Sequence, residues 1–115
     1  MTVSTPGVPP DALTGPGARF VSRFEGTLGQ PPEQYSVYAA QATQLLLDAV
    51  ARSNGTRASV NHQLFTSRIH NGILGDFAIT PSGDTTANNV TIYRLTAGKL
   101  KRLTVITPPP GLVTF

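Results

Sequence analysis

Residues 35–57, YSVYAAQATQLLLDAVARSNGTR, read as one long amphipathic helix that stops at Asn54-Gly55. The spacing predicts a helix over about 35–53, opened by Ser36 as a possible N-cap and about 27 Å long. Tyr38, Ala42, Leu45 or Leu46, Ala49 and Val50 fall on one face, and Gln41, Gln44, Asp48 and Arg52 mark the other. The run Leu45-Leu46-Leu47 makes the apolar arc wide, which predicts packing on more than one side, as against a sheet. Asn54 and Gly55 accept the positive φ that ends a helix.

Upstream, Leu13, Phe20, Val21, Phe24 and Leu28 recur at helical spacing, so a first helix is expected over about 13–28 with Asp11 as a plausible N-cap. Gly29, Pro31 and Pro32 end it. Residues 1–12 are rich in Pro, Ser and Thr and are expected to be a flexible leader. Downstream, Thr56 or Ser59 caps a short helix over about 57–65, with Val60, Leu64 and Phe65 inward, and residues 66–72 read as a connector. From Gly72 the period shortens. Phe77-Ala78-Ile79 reads as a short strand before the turn Pro81-Ser82-Gly83-Asp84. Strands over about 89–96 and 99–106 alternate around Ala97-Gly98, which predicts a β-hairpin with Leu100, Leu103 or Thr104, and Ile106 as inward positions. Pro108–Pro110 end it, leaving residues 107–115 as a C-terminal tail.

The chain has 115 residues, enough for one small core. Net charge is +3 with only 13% charged residues, so the basic balance reflects few acids rather than dense bases. The cluster Lys99, Lys101 and Arg102 reads as a solvated strand face, and no nucleic acid is expected as partner. Cysteine is absent, which removes disulfides and thiolate chemistry. No apolar run approaches the ~20 residues that span a bilayer. The first residues, MTVSTPGVPP, have neither the basic nor the apolar region of a signal peptide.

Residues able to carry chemistry are few. His62 falls on the short helix and His70 in the connector, and neither has a patterned nucleophile or carboxylate nearby, so no catalytic, metal or cofactor site is expected. Asp76 and Asp84 fit turn chemistry better than a calcium loop. Gly72 and Gly75 lack the spacing of a phosphate loop. Asn54-Gly55-Thr56 and Asn89-Val90-Thr91 match the N-glycosylation acceptor pattern, which a Thr-rich chain yields by chance. Tyr35 is the one candidate ligand-binding residue. At the start of the long helix it could offer a ring and a hydroxyl to a cleft; alternatively Tyr35 and Tyr38 both pack the helix start.

The ordered set of pieces carries a resemblance. Phe20 and Phe24 precede Gly29 and Pro32; Tyr35 then leads an alanine-rich helix through Ala42 and Ala49. Gly72, Gly75 and Phe77 lead to Gly83-Asp84, and the last turn is Gly98-Lys99. Over about 13–106 this resembles the C-terminal third of type I periplasmic solute-binding proteins of the branched-chain amino-acid family. The departure is Gln41-Ala42, where the family usually has Tyr-Asp-Ala. The resemblance implies an α/β fold, specifically a C-terminal fragment of a two-lobed periplasmic-binding-protein-like fold, with three helices followed by a β-hairpin. It implies an extracytoplasmic parent, its export signal upstream, that captures a small amino-acid-like solute for an ABC permease or a sensor, and no enzyme activity. The helices would belong to one lobe and the hairpin would cross to the other. An isolated fragment of this kind would lack its sheet and would form a homo-oligomer or element-swapped dimer. The alternative is a self-contained interaction or assembly domain that uses the wide apolar helix face.

Overall fold

A computed structural model describes residues 1–109 and Leu112. The order of elements is β1 (Thr2–Pro6), a 3₁₀ turn (Pro10–Ala12), α1 (Pro16–Leu28), α2 (Gln34–Arg52), α3 (Arg57–Phe65), β2 (Arg68–Gly72), β3 (Gly75–Ala78), β4 (Val90–Thr96) and β5 (Lys99–Ile106). The fold is mixed α/β, three helices followed by a hairpin. The chain divides into two units: residues 10–87 form one, and residues 1–9 with 88–115 form the other.

In the first unit, α1 begins at Pro16 rather than near Leu13. Proline is pre-set for a first helical position and needs no N–H there, whereas Asp11 lies in the preceding 3₁₀ turn. Gly29, with φ of 72°, closes α1 and returns its N–H to Glu25. Glu33, extended after Pro31-Pro32, occupies the N-cap of α2, so Ser36 lies inside the helix and is not its cap. The buried stripe of α2 is Val37, Gln41 and Ala49, with Leu45 half-buried between them. That is a rotation from the expected face: Gln41, assigned to the polar side, is only 3% exposed, while Ala42, Leu46 and Val50 are exposed. Thr56 caps α3 by accepting from the Ser59 N–H at 3.2 Å. Phe65, expected inward, is 41% exposed.

The connector over 66–72 contains a strand. Arg68–Gly72 pairs antiparallel with Gly75–Ala78, through Arg68↔Ala78, Ile69↔Phe77 and Gly72↔Gly75. The strand expected at Phe77–Ile79 therefore sits earlier, and Ile79 forms a separate bridge with Thr85. Ile73 at the hairpin tip and Phe77 on β3 are buried. Two glycines let the tip approach the helices. A Cβ at Gly17 would collide with the Ile73 carbonyl oxygen, and one at Gly72 with Gln41 Oε1 and Ile69 Cγ2.

The second unit is a three-stranded antiparallel sheet in the order β1-β4-β5. Residues 1–12 are thus not simply a flexible leader: Thr2–Pro6 pairs with β4 from Thr2↔Arg94 to Pro6↔Val90. Its alternation half-buries Val3 and Thr5, and Pro6 ends an edge strand, where a missing N–H is tolerated. The Gly7 N–H donates to Asn89 O at 2.7 Å, and Thr91 Oγ1 donates to Gly7 O at 2.6 Å. Ala97 (φ 49°) and Gly98 (φ 74°) form the two-residue turn between β4 and β5, a conformation that matches strand twist. Ile92 pairs with Thr104 and Tyr93 with Arg102, so Leu103 is bulged out of register. Leu100, Leu103 and Ile106, expected inward, are exposed: the bulge at Leu103 breaks the alternation, so Leu100, paired with Leu95, and Ile106, paired with Val90, fall on opposite faces. Residues 110–111 and 113–115 of the expected tail lie outside the described residues.

Candidate functional site

The start of α2 is the position that the sequence reading singled out. Tyr35 is the second residue of the helix and 81% exposed. Its hydroxyl makes no hydrogen bond among the described residues. Tyr38, one turn later, is half-buried. No side chain caps this end, and the Ser36 N–H bonds the Glu33 carbonyl at 3.1 Å. Tyr35 thus stands clear of its own unit with both ring and hydroxyl accessible.

Tyr35 also heads a stripe. Tyr35, Ala39, Ala42, Leu46 and Val50 recur at intervals of four, three, four and four and are all exposed. Thr43 and the 63%-exposed Leu47 flank them, and none of these residues is charged. On a helix this spacing forms one continuous face.

The other candidates are dispersed. His62 lies exposed on α3. His70 Nδ1 is 3.7 Å from Asp76 Oδ2, with both side chains largely in solvent. Asp76 Oδ1 accepts from the Asn71 N–H at 2.8 Å, across the β2–β3 hairpin. Asp84 closes the turn after Ile79: its Oδ2 accepts from Ser82 Oγ at 2.8 Å, and its N–H donates to Thr80 Oγ1 at 3.0 Å. Asn54 Oδ1 accepts from both the N–H and the hydroxyl of Thr56. Among the described residues no group of three His, Cys, Asp or Glu side chains could hold a metal ion, and no helix is long and apolar enough to cross a membrane.

A second feature went unread in the sequence. A groove of about 510 Å³ lies in the first unit, lined by Arg19, Phe20, Arg23, Phe24, Thr27 and Leu28 of α1, Gln44 of α2, and Asn71 and Ile73 of the β2–β3 hairpin. The signal for it is the doublet RFVSRF at 19–24, which places two arginines and two phenylalanines four residues apart. The opposite wall comes from Gln44, Asn71 and Ile73, which no local pattern joins to α1.

No family model and no curated sequence matches the chain. Solved structures do. A leucine-binding protein from Thermotoga maritima superposes with a TM-score of 0.79 and 24% identity, over 94% of this chain and 31% of that one. An ABC-transporter substrate-binding protein from Desulfitobacterium hafniense, complexed with Leu, gives 0.70 and 22%, over 89% of this chain and 30% of that one. A solute-binding protein of an ABC transporter from Rhodopseudomonas palustris BisB5, complexed with 3,4-dihydroxybenzoic acid, gives 0.69 and 18%, over 98% of this chain and 33% of that one. The likeness is one of fold: this chain folds as part of a type I periplasmic solute-binding protein does, and it spans about a third of the length of each of the three.

Proposed function

We propose that this chain is the C-terminal part of an extracytoplasmic solute-binding protein that captures a small, amino-acid-like solute for an ABC permease or a sensor. The observation that carries the reading is the agreement over 94% of this chain with 31% of a leucine-binding protein. The uncovered face of α2 supports it independently. A continuous uncharged stripe exposed along a 19-residue helix marks a surface that another surface covers, and the remaining two thirds of such a fold would supply the cover. In this reading the chain binds solute and performs no chemistry on it. Tyr35, exposed at the start of α2, is the residue assigned to solute contact.

The test is a hybrid in which this chain replaces the matching third of the Thermotoga maritima leucine-binding protein. The expected product is a monomer that binds a small amino acid in calorimetry, with Tyr35→Ala lowering the affinity. A folded hybrid that binds none of the twenty amino acids would remove the solute-binding assignment.

A second reading rests on the same exposed stripe. The chain is then a self-contained interaction or assembly domain whose α2 face is the partner surface. Sedimentation bears on the choice: a stable, compact monomer of the chain alone would count against the first reading, which leaves the isolated chain with an uncovered face.

A further inference from the structure

We propose that the groove beside α1 binds a small carboxylic acid with an aromatic or branched apolar body. The doublet RFVSRF sets Arg19 above Arg23 and Phe20 above Phe24 on one side of the helix. The rings are 5.9 Å apart at 49° and form an apolar floor. Neither guanidinium makes an ion pair or hydrogen bond among the described residues, and no acidic side chain lines the groove.

The placement of these cations is unfavourable for the helix itself. Like charges four residues apart repel. Arg19 is the fourth residue of α1, close to the positive end of the helix dipole, and no acid lies in that first turn. Gly15 brings no side-chain cap, and the first-turn N–H groups bond backbone carbonyls, Gly17 and Ala18 that of Thr14 and Arg19 that of Gly15. The two guanidiniums thus concentrate positive charge that no acidic side chain lining the groove answers. A carboxylate answers it, through the forked, charge-assisted hydrogen bonds that guanidinium geometry favours.

The rest of the groove decides what the carboxylate is attached to. Phe20 and Phe24 offer apolar surface beside the arginines, and Gln44 and Asn71 bring amides from the other wall for a second polar group. A volume of about 510 Å³ suits a small molecule. Inorganic phosphate would use the arginines and leave the rings idle, so an acid with an apolar body is the better fit. Tyr35 does not line this groove, and the site does not depend on the solute-binding reading of α2.

The test is a titration of the isotope-labelled chain with 3-phenylpropionate, followed by NMR. Saturable shifts are expected at the Arg19 and Arg23 Nε–H signals and at the Phe20 and Phe24 ring signals. The neutral 3-phenylpropionamide should bind about tenfold more weakly, and inorganic phosphate should also be weaker than the acid. Arg19→Gln with Arg23→Gln should abolish the shifts; if that variant does not fold, Arg19→Lys with Arg23→Lys keeps the charge, loses the fork, and should weaken binding. The proposal fails if the titration does not saturate, if amide or phosphate binds as tightly as the acid, or if the shifts survive these substitutions.

Discussion

Gln41 on α2 and Leu74 in the β2–β3 hairpin are joined by a hydrogen bond in which the Leu74 N–H donates to Gln41 Oε1 at 3.1 Å. The amide belongs to the buried stripe of α2 and satisfies a backbone donor at the tip of a hairpin thirty-three residues away. Removing the acceptor leaves that part-buried donor without its partner, and a fully buried donor without a partner costs about 1–3 kcal/mol. Gln41→Ala is therefore expected to lower stability by about 2 kcal/mol in urea denaturation. Gln41→Glu keeps an acceptor but places a charge in a nearly buried position, so it should be at least as damaging at neutral pH. A change under ~0.5 kcal/mol for Gln41→Ala would show that water replaces the amide without loss.

This contact also marks what the sequence could and could not disclose. The bounds of α2 were legible because helical periodicity runs up to strong terminators, Pro31-Pro32 before it and Asn54-Gly55 after it. Its orientation was not, since polarity alone puts a glutamine outside, and only the hairpin tip explains its burial. β1 was illegible for a related reason. Its partner β4 lies more than eighty residues away, and TVSTP by itself has the composition of a loose terminus. The bulge at Leu103 likewise depends on pairing across the hairpin, and it upsets the alternation that assigned Leu100 and Ile106 inward. Tyr35 could be placed at a helix start from sequence, and the structure adds that its ring is in the open. The RFVSRF groove needs two walls, of which one was in view.

Arg52 holds the end of α2 to α3 and the turn after it. Its Nε donates to Asp48 Oδ2 at 2.9 Å, Nη1 to Gln63 Oε1 at 2.9 Å, and Nη2 to Ser67 Oγ at 3.1 Å. Ser67 is buried, and its hydroxyl donates onward to Gln63 O at 2.7 Å. Arg52→Ala is expected to cost about 1–2 kcal/mol in thermal or urea denaturation. Lysine lacks the planar fork and should recover little of the loss. Asp48→Ala breaks only the exposed helical pair and should cost about 0.5 kcal/mol or less, declining with salt.

The pairing of β1 gives a prediction about the second unit. β4 has a neighbour on each side only while β1 is present, and a two-stranded hairpin alone is marginal in water. Deleting residues 1–7 removes the strand, the Gly7 N–H bond to Asn89 and the acceptor of the Thr91 hydroxyl. Hydrogen exchange at the β4 amides that face β1 should speed up by more than about tenfold. Protection in α2, which belongs to the other unit, should change little. Unchanged exchange in β4 would mean that the hairpin stands without its third strand.

The stripe on α2 predicts behaviour in solution. Leu46 and Val50 lie one turn apart on its centre, each 48% exposed, beside the more open Leu47. Apolar surface in a continuous row associates with whatever similar surface is available, and for the isolated chain that is another copy. Sedimentation at rising concentration should therefore show self-association. Leu46→Lys with Val50→Lys puts two ammonium groups on the stripe without removing any buried side chain. The pair should give a monomer across the same range, with a melting temperature within about 3 °C of the parent, because surface substitutions away from buried features cost little. Lysine is also a good helix former, so loss of association would not reflect a damaged helix. If the doubly substituted chain remains associated, the contact lies elsewhere, and the exposed face of β5 around Leu100 and Leu103 is the next surface to substitute. If it unfolds instead, the stripe is already packed in the isolated chain, and the case for a missing cover over α2 falls with it.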